Sequence, residues 1–172
     1  MLPLDNPFWQ FSLRVYAVPA VAAECLELQR VLSVNVNLLL FCSWMAASRR
    51  VALDEVAIRS IENEIHGWHT LAVLRLRKIR EQLKPLPEMQ HQEVQAFRRE
   101  VLACELHAEQ IEQALLFQQA ERLSMRSQPG AVRAVIAGNI DLLCSLSTIS
   151  KPDENPLPVA ALIETSLAVG QG

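Results

Sequence analysis

The sequence predicts an all-α protein, a single-domain bundle of six to seven helices with orthogonal or irregular packing and one long helix. Apolar residues recur every three or four positions through most of the 172 residues, which is the period of an amphipathic helix. β-Branched residues never alternate with polar ones over a useful length, so no strand is predicted. Residues 1–150 are assigned to this domain, and residues 151–172 to a connector followed by a short C-terminal helix or flexible tail.

The first helix is predicted to begin after Asn6, because asparagine is a good N-cap and the next residue is a proline. Its only polar stripe is Gln10 and Arg14, so we expect the helix to be mostly buried. Six of the nine aromatic residues lie in the first 44 positions, and Trp9 and Trp44 are expected to be buried in the core. A second helix, opened by Pro19, is plainly amphipathic.

The third helix is capped by Asn35 or Asn37 and is apolar on every side through Ala47, which is typical of a central helix. A fourth helix begins at residues 54–55. Gly67 is expected to divide it into two parts before two prolines end it.

The longest periodic segment runs from residue 88 to about 123 and contains no helix breaker. At this length a straight helix would extend about 54 Å, whereas a compact chain of this size is about 40 Å across. The helix must therefore break, protrude or find a partner. We predict a homodimer with a heptad-spaced interface stripe, although the same spacing serves a bundle core equally well. The stripe comprises Val94, Phe97, Val101, Ile111 and Leu115.

Turn-forming residues predict a linker at 124–130, and a further apolar helix is expected at 131–146. Residues 151–158 are rich in proline and predict an extended connector. A short apolar helix at 159–169 is expected to dock on the core or to fray.

Composition bears on partners and location. The net charge of −3 provides no basic excess for binding phosphate backbones, so nucleic acid is not expected as a partner. The four cysteines are far apart in sequence, and three of them lie in apolar helical patterns, which favours a reduced, cytoplasmic protein. The longest apolar run is far below the roughly 20 residues of a bilayer span, and we expect no export signal and no membrane association.

Few residues indicate chemistry. Glu62, His66 and His69 are spaced to share one helix face and are a candidate metal site, but zinc or iron needs further converging ligands. The alternative is that the histidines flank Trp68 at a helix break and bond to the backbone. We therefore predict no bound metal and no cofactor. Motifs for a catalytic serine or cysteine and for a phosphate-binding loop are lacking.

The only dense basic run, residues 75–84, borders a buried stripe. It is interpreted either as a solvated border or as a docking surface for an acidic partner or an anionic ligand. The candidate interaction surface, including nearby polar residues, comprises Gln10, Arg14, His66, His69, Arg77, Arg80 and Lys84.

Three motifs, FWxFSLxxY from Phe8, CLxLQ from Cys25 and VNxLLxxxW from Val36, together resemble a family of short proteobacterial all-helical proteins defined as a domain of unknown function. The likeness covers residues 6–123. The family pattern Gly-x-Asp-Val-Asn corresponds to residues 33–37, so an acidic position is Asn35 here, which favours capping over catalysis. The resemblance implies a cytoplasmic all-α protein and transfers no site residues.

From these observations we expect a non-enzymatic adaptor or regulatory protein that acts through helix-face contacts. Two alternatives remain open. One is a small-molecule binder with a pocket between the first, third and fourth helices. The other is a metal-dependent enzyme built around His66, His69 and Glu62.

Overall fold

The structure is a computed structural model that describes residues 1–123, 130–147 and 157–170. The described residues form eight α-helices and no strand. A π-helical segment, His69–Val73, joins α4 and α5 into one rod, so the bundle has seven rods, and the predicted all-α fold is confirmed. The helices are α1 (Pro7–Tyr16), α2 (Pro19–Leu32), α3 (Val36–Arg49), α4 (Glu55–Trp68), α5 (Leu74–Leu83), α6 (Gln92–Arg122), α7 (Val132–Ser145) and α8 (Ala160–Gly170).

The N-terminal helices begin where local signals predict. The Asn6 side chain accepts a hydrogen bond from the Trp9 amide at 2.9 Å. Of the two candidate caps of α3, Asn35 is the one whose side chain accepts from the first amides of the helix. Ser33, which ends α2, has a left-handed backbone with φ of 54°, a conformation that favours glycine.

Helix α3 lies at the centre of the bundle, and every residue from Asn37 to Ala47 is buried. Trp44 is 2% exposed and packs against Phe8, Phe41 and Phe117, with ring centroids 5.3–5.9 Å apart. The prediction that Trp44 is a core residue is therefore confirmed. The same prediction for Trp9 is wrong, because this side chain is only partly buried and lines a cavity.

Buried polar contacts fix α7 and α8 against the core. Asn139 donates to the carbonyls of Cys42 and Val51, both at 3.0 Å, and accepts from the Leu53 amide. The Glu24 carboxylate accepts the free amides at the start of α8 at 2.8 and 2.9 Å. Helix α8 thus docks on the core rather than fraying, and at Gly170 it approaches Ala47 too closely to leave room for a Cβ atom.

The break predicted at Gly67 takes the form of the π-helical segment that begins two residues later. Helix α6 is continuous over 31 residues, about 46 Å. Its buried residues begin only at Val101, and α5 has none, so α5 and the first part of α6 pair mainly with each other and protrude from the bundle. Most of the predicted linker 124–130 and of the connector 151–158 lies outside the described residues.

The predicted interface stripe is not uniformly exposed. Phe97 is 52% exposed, whereas Val101 is buried inside the chain at 8%. Val94, Ile111 and Leu115 are intermediate, and Leu115 packs on the core. The homodimer remains a prediction. Among the described helices, none has the length and apolar character needed to cross a bilayer.

Candidate functional site

A cavity of about 700 Å³ opens between α1, α2, α3, the α4–α5 rod and α6. We call it the α1–α6 cavity. Its volume is within the range of small-molecule sites in proteins, about 300–1,000 Å³. The pocket predicted from sequence lay between the first, third and fourth helices, which are three of the elements that line this cavity. The sequence did not indicate the contributions of α2 and α6.

The α1 wall is one helix face, formed by Trp9, Ser12, Leu13 and Tyr16 at spacings of three and four. Leu13 is 47% exposed and Tyr16 36%. Helix α1 is therefore not mostly buried as predicted, because only its opposite face, with Phe8, packs on the core.

The opposite wall is a face of α6 with the same spacing. Leu102 and Leu106 are its apolar members, and Glu105, Glu109 and Gln113 are its polar ones. Polar and apolar side chains thus alternate along the wall, so a ligand in the cavity would meet both kinds of surface.

An ion-pair cluster joins α5 to α6 along this wall. Arg77 bonds to Glu105 at 2.9 Å and to Glu109 at 2.5 Å, and Arg80 bonds to Glu105 at 2.5 Å. Burial raises the pKa of Glu105, but hydrogen bonds from Arg80 and Arg77 outweigh it, so the pKa of this carboxyl lies below its usual value. At Glu109 burial outweighs the attraction of Arg77 and raises the pKa. The pKa values of these two carboxyls, which are one helical turn apart, are therefore shifted in opposite directions.

Behind the cavity wall, the Glu112 side chain is completely buried and is the centre of a hydrogen-bond network. One carboxylate oxygen accepts from the Asn35 side chain at 2.6 Å and, at 3.4 Å, from Asn37. The other lies 3.0 Å from Nδ1 of His69. The same Nδ1 lies 3.1 Å from the amide nitrogen of Asn35, so it donates to Glu112 in one tautomer and accepts from Asn35 in the other. His69 Nε2 has no hydrogen-bond partner in residues 1–123, 130–147 or 157–170, and His69 lines the cavity.

His69 begins the π-helical segment. Single-turn π segments inside α-helices are frequent at functional sites. Trp68 directly precedes this segment. Its indole nitrogen donates a hydrogen bond to the Ala108 carbonyl at 2.8 Å and so links the α4–α5 rod to α6. The rod is thus tied to α6 on both sides of the helix junction, by Trp68 and by His69.

Two polar atoms in the cavity walls have no partner among the described residues. They are the Ser12 hydroxyl oxygen and Oε1 of Gln113. Ser12 is 2% exposed and Gln113 is 4% exposed. A buried polar atom without a hydrogen bond costs about 1–3 kcal/mol, so most such atoms in proteins are satisfied. Both atoms belong to residues that line the same cavity, whereas a third unpartnered buried atom, the hydroxyl oxygen of Ser166 on α8, lies outside it.

Burial is the main cause of a raised pKa at the Tyr16 hydroxyl. The neighbouring Cys25 and Glu109 raise this pKa further. The phenol therefore stays protonated and neutral in this wall. At the mouth of the cavity the side chains of Leu26 and Leu106 are both 53% exposed. The lining thus combines buried polar side chains with half-exposed leucines.

The structure brings together three residues of the predicted interaction surface, since His69, Arg77 and Arg80 line the cavity. The other four lie elsewhere. Gln10 and Arg14 border a different hollow beside α8, and His66 and Lys84 are exposed.

Glu62 and His66 are exposed, whereas His69 bonds to Glu112. Within the described ranges, no group of three or more His, Cys, Asp or Glu side chains is arranged to hold a metal ion. The prediction of a metal-free protein is one that elemental analysis would test.

Charged residues on a long helix usually face solvent, but Glu105 and Glu112 of α6 are buried. Glu105 and Glu109, four residues apart on α6, pair with Arg77 and Arg80, three residues apart on α5, and this matched spacing of opposite charges was a signal of cross-helix pairing. The orphan atoms of Ser12 and Gln113 had no such signal, because only tertiary packing makes them orphans.

The chain matches the family model described as "Protein of unknown function (DUF2390)" over residues 7–116. No curated protein and no solved structure matches it. The matched segment is more than half of the chain and contains every residue that lines the α1–α6 cavity, whereas α7 and α8 lie outside it. The chain therefore belongs to the DUF2390 family of proteins of unknown function.

Proposed function

We propose that this protein binds a small amphipathic molecule in the α1–α6 cavity. The observation that carries the proposal is the pair of buried, unpartnered polar atoms, Ser12 Oγ and Gln113 Oε1, in the walls of one cavity of about 700 Å³. Packing alone does not favour such atoms, since each costs stability. A bound molecule that supplies hydrogen bonds would remove this cost.

The apolar rim supports the amphipathic character of the ligand. Leu13, Leu26 and Leu106 are each about half exposed around the mouth. Large apolar side chains gathered around an opening are a common feature of ligand sites. A molecule with a polar end directed inward and an apolar end at the rim would cover them.

Fluorescence of Nile red, a neutral polarity-sensitive dye, tests this function. Wild-type protein is expected to enhance the dye fluorescence saturably. Ala17→Trp, which adds bulk at an exposed position of the cavity wall without removing a hydrogen bond, is expected to weaken dye binding at least tenfold.

The matched control is Ala134→Trp, at an exposed position on α7 outside the cavity, and it is expected to bind like the wild type. Absence of saturable enhancement by the wild type, or equal binding by both variants, would contradict a ligand site in the cavity.

A protein-contact role, predicted from the sequence, has one supporting observation of its own. The protruding hairpin of α5 and α6 exposes Ile79 and Phe97 at 44 and 52%, and Leu71 in the adjoining π-helical segment is 63% exposed. We propose, as the second candidate, that a cytoplasmic homodimer or an adaptor contact uses this hairpin. The thiols of Cys25 and Cys42 are buried in the core, which agrees with a reduced compartment.

Light scattering at micromolar concentration is expected to give near twice the 19.3 kDa chain mass. Phe97→Glu is expected to give a folded monomer, because the Phe97 side chain is 52% exposed in the single chain and its replacement costs the subunit little stability. Val101 is less suitable for this test, because it is buried in the subunit. A wild-type monomer across the concentration range would contradict the dimer.

A further inference from the structure

We infer, resting on the proposed ligand site, that the ligand of the α1–α6 cavity is an organic cation, an alkylammonium whose head group binds at Glu109 and Gln113. The cavity leaves hydrogen-bond acceptors without partners, its walls carry an excess of acidic groups, and half-exposed leucines line its opening.

The unused groups at the inner end are mainly acceptors. Glu109 bonds to Arg77 through Oε1, and its Oε2 has no partner among the described residues. Gln113 donates to Asn37 at 2.9 Å, while its Oε1 is buried without a partner. An ammonium group carries three donors and no acceptor, which complements this set.

The charge of the walls favours a cation as well. Three carboxylates line the cavity, on Glu81, Glu105 and Glu109, against the two guanidinium groups of Arg77 and Arg80, an excess of one negative charge. Buried Glu112 lies behind the wall and adds a further acid opposite His69. Both guanidinium groups already bond to carboxylates, each of them through two nitrogens or more, so neither is available as an isolated anion site.

Aromatic and apolar side chains complete the complementarity. Trp9 and Tyr16 lie in the wall opposite α6, and aromatic rings near a carboxylate are groups that proteins use to hold ammonium ligands. Beyond them, Leu102 and Leu106 lead to the rim one turn apart on α6. An alkyl chain attached to the ammonium would pack there.

Displacement of Nile red by three eight-carbon compounds tests the inference, since octylammonium, octanol and octanoate share one chain and differ in head-group charge. With wild-type protein at neutral pH, octylammonium is expected to bind at least tenfold more tightly than octanol, and octanoate more weakly than octanol. Glu109→Gln is expected to abolish most of the preference for octylammonium over octanol.

The matched control is Glu100→Gln, the same substitution on an exposed, opposite face of α6, and it is expected to keep the full preference. Gln113→Leu serves as a second variant, which removes the orphan acceptor without changing charge. Tighter binding of octanoate, or equal affinity for all three compounds, would overturn the inference while leaving the ligand site intact. Nile red binding without displacement by octylammonium would also overturn it. Failure of Nile red itself to bind would instead remove the proposed function.

Discussion

Replacing Trp44 by alanine is expected to lower the free energy of unfolding by about 3–5 kcal/mol, the usual cost of removing a large buried aromatic side chain. Trp44 is 2% exposed and contacts three phenylalanine rings, and the Arg49 guanidinium lies 4.8 Å from its ring centroid. The space left by the indole is enclosed by α1, α3 and α6, so little collapse is possible. Urea unfolding followed by circular dichroism measures the loss.

Trp9→Ala is the matched control, since it removes the same side chain from a cavity wall. Its expected loss of stability is less than half of that of Trp44→Ala, because Trp9 is only partly buried. Nile red affinity, by contrast, is expected to fall in Trp9→Ala. A stability loss below about 1 kcal/mol for Trp44→Ala would contradict the central position of this residue.

Glutamine substitutions at Glu105 and Glu109 are expected to differ in their effect on stability at neutral pH. Glu105→Gln is expected to cost about 1.5–3 kcal/mol, because it removes charge-assisted hydrogen bonds to two arginines. Glu109→Gln is expected to leave stability unchanged or to raise it, because the folded protein holds this carboxyl in surroundings that raise its pKa. Thermal and urea unfolding of both variants provide the comparison.

The pH dependence follows from the two pKa directions. A carboxyl with a lowered pKa contributes stability above its unfolded pKa and loses it as the pH falls through the folded pKa, so the cost of Glu105→Gln is expected to shrink on acidification. A carboxyl with a raised pKa contributes stability at low pH and loses it as the pH rises through its folded pKa. Any gain in stability from Glu109→Gln is therefore expected near neutral pH, and this gain is expected to disappear in acid. Equal destabilisation by both variants would contradict this assignment.

In the unliganded protein, Glu109, Ser12 and Gln113 each bury a polar group. The loss of contact with water at these groups is not fully offset by hydrogen bonds or ion pairs. Functional sites commonly contain such groups, because residues arranged for a ligand are not optimal for stability. On this account a ligand should raise the melting temperature of the wild type more than that of Glu109→Gln.

Much of the fold could be predicted because its signals are local. Asn6 followed by proline starts α1, and the uniformly apolar α3 is the central helix. The site could not be predicted in the same way. The period that places Trp9 and Tyr16 on one face is the same whether that face meets a core or a cavity, so Trp9 was assigned to the wrong environment.

The polar network at Glu112 shows the same limit. Asn35 was predicted as a helix cap, and it is one. Its second contact, with a carboxylate 77 residues further along the chain, depends on how α6 crosses α3 and has no local signature. His69 was considered for a metal site with its sequence neighbours, but the π-helical segment and α6 give it Glu112 as its partner instead.

A crystal structure of the protein grown with octylammonium tests the central claim most directly. The account predicts electron density in the α1–α6 cavity, with the ammonium nitrogen within about 3.2 Å of Glu109 and Gln113 side-chain oxygens and the alkyl chain along Leu102 and Leu106. Octylammonium bound only on the protein surface, with the cavity walls unchanged, would contradict it.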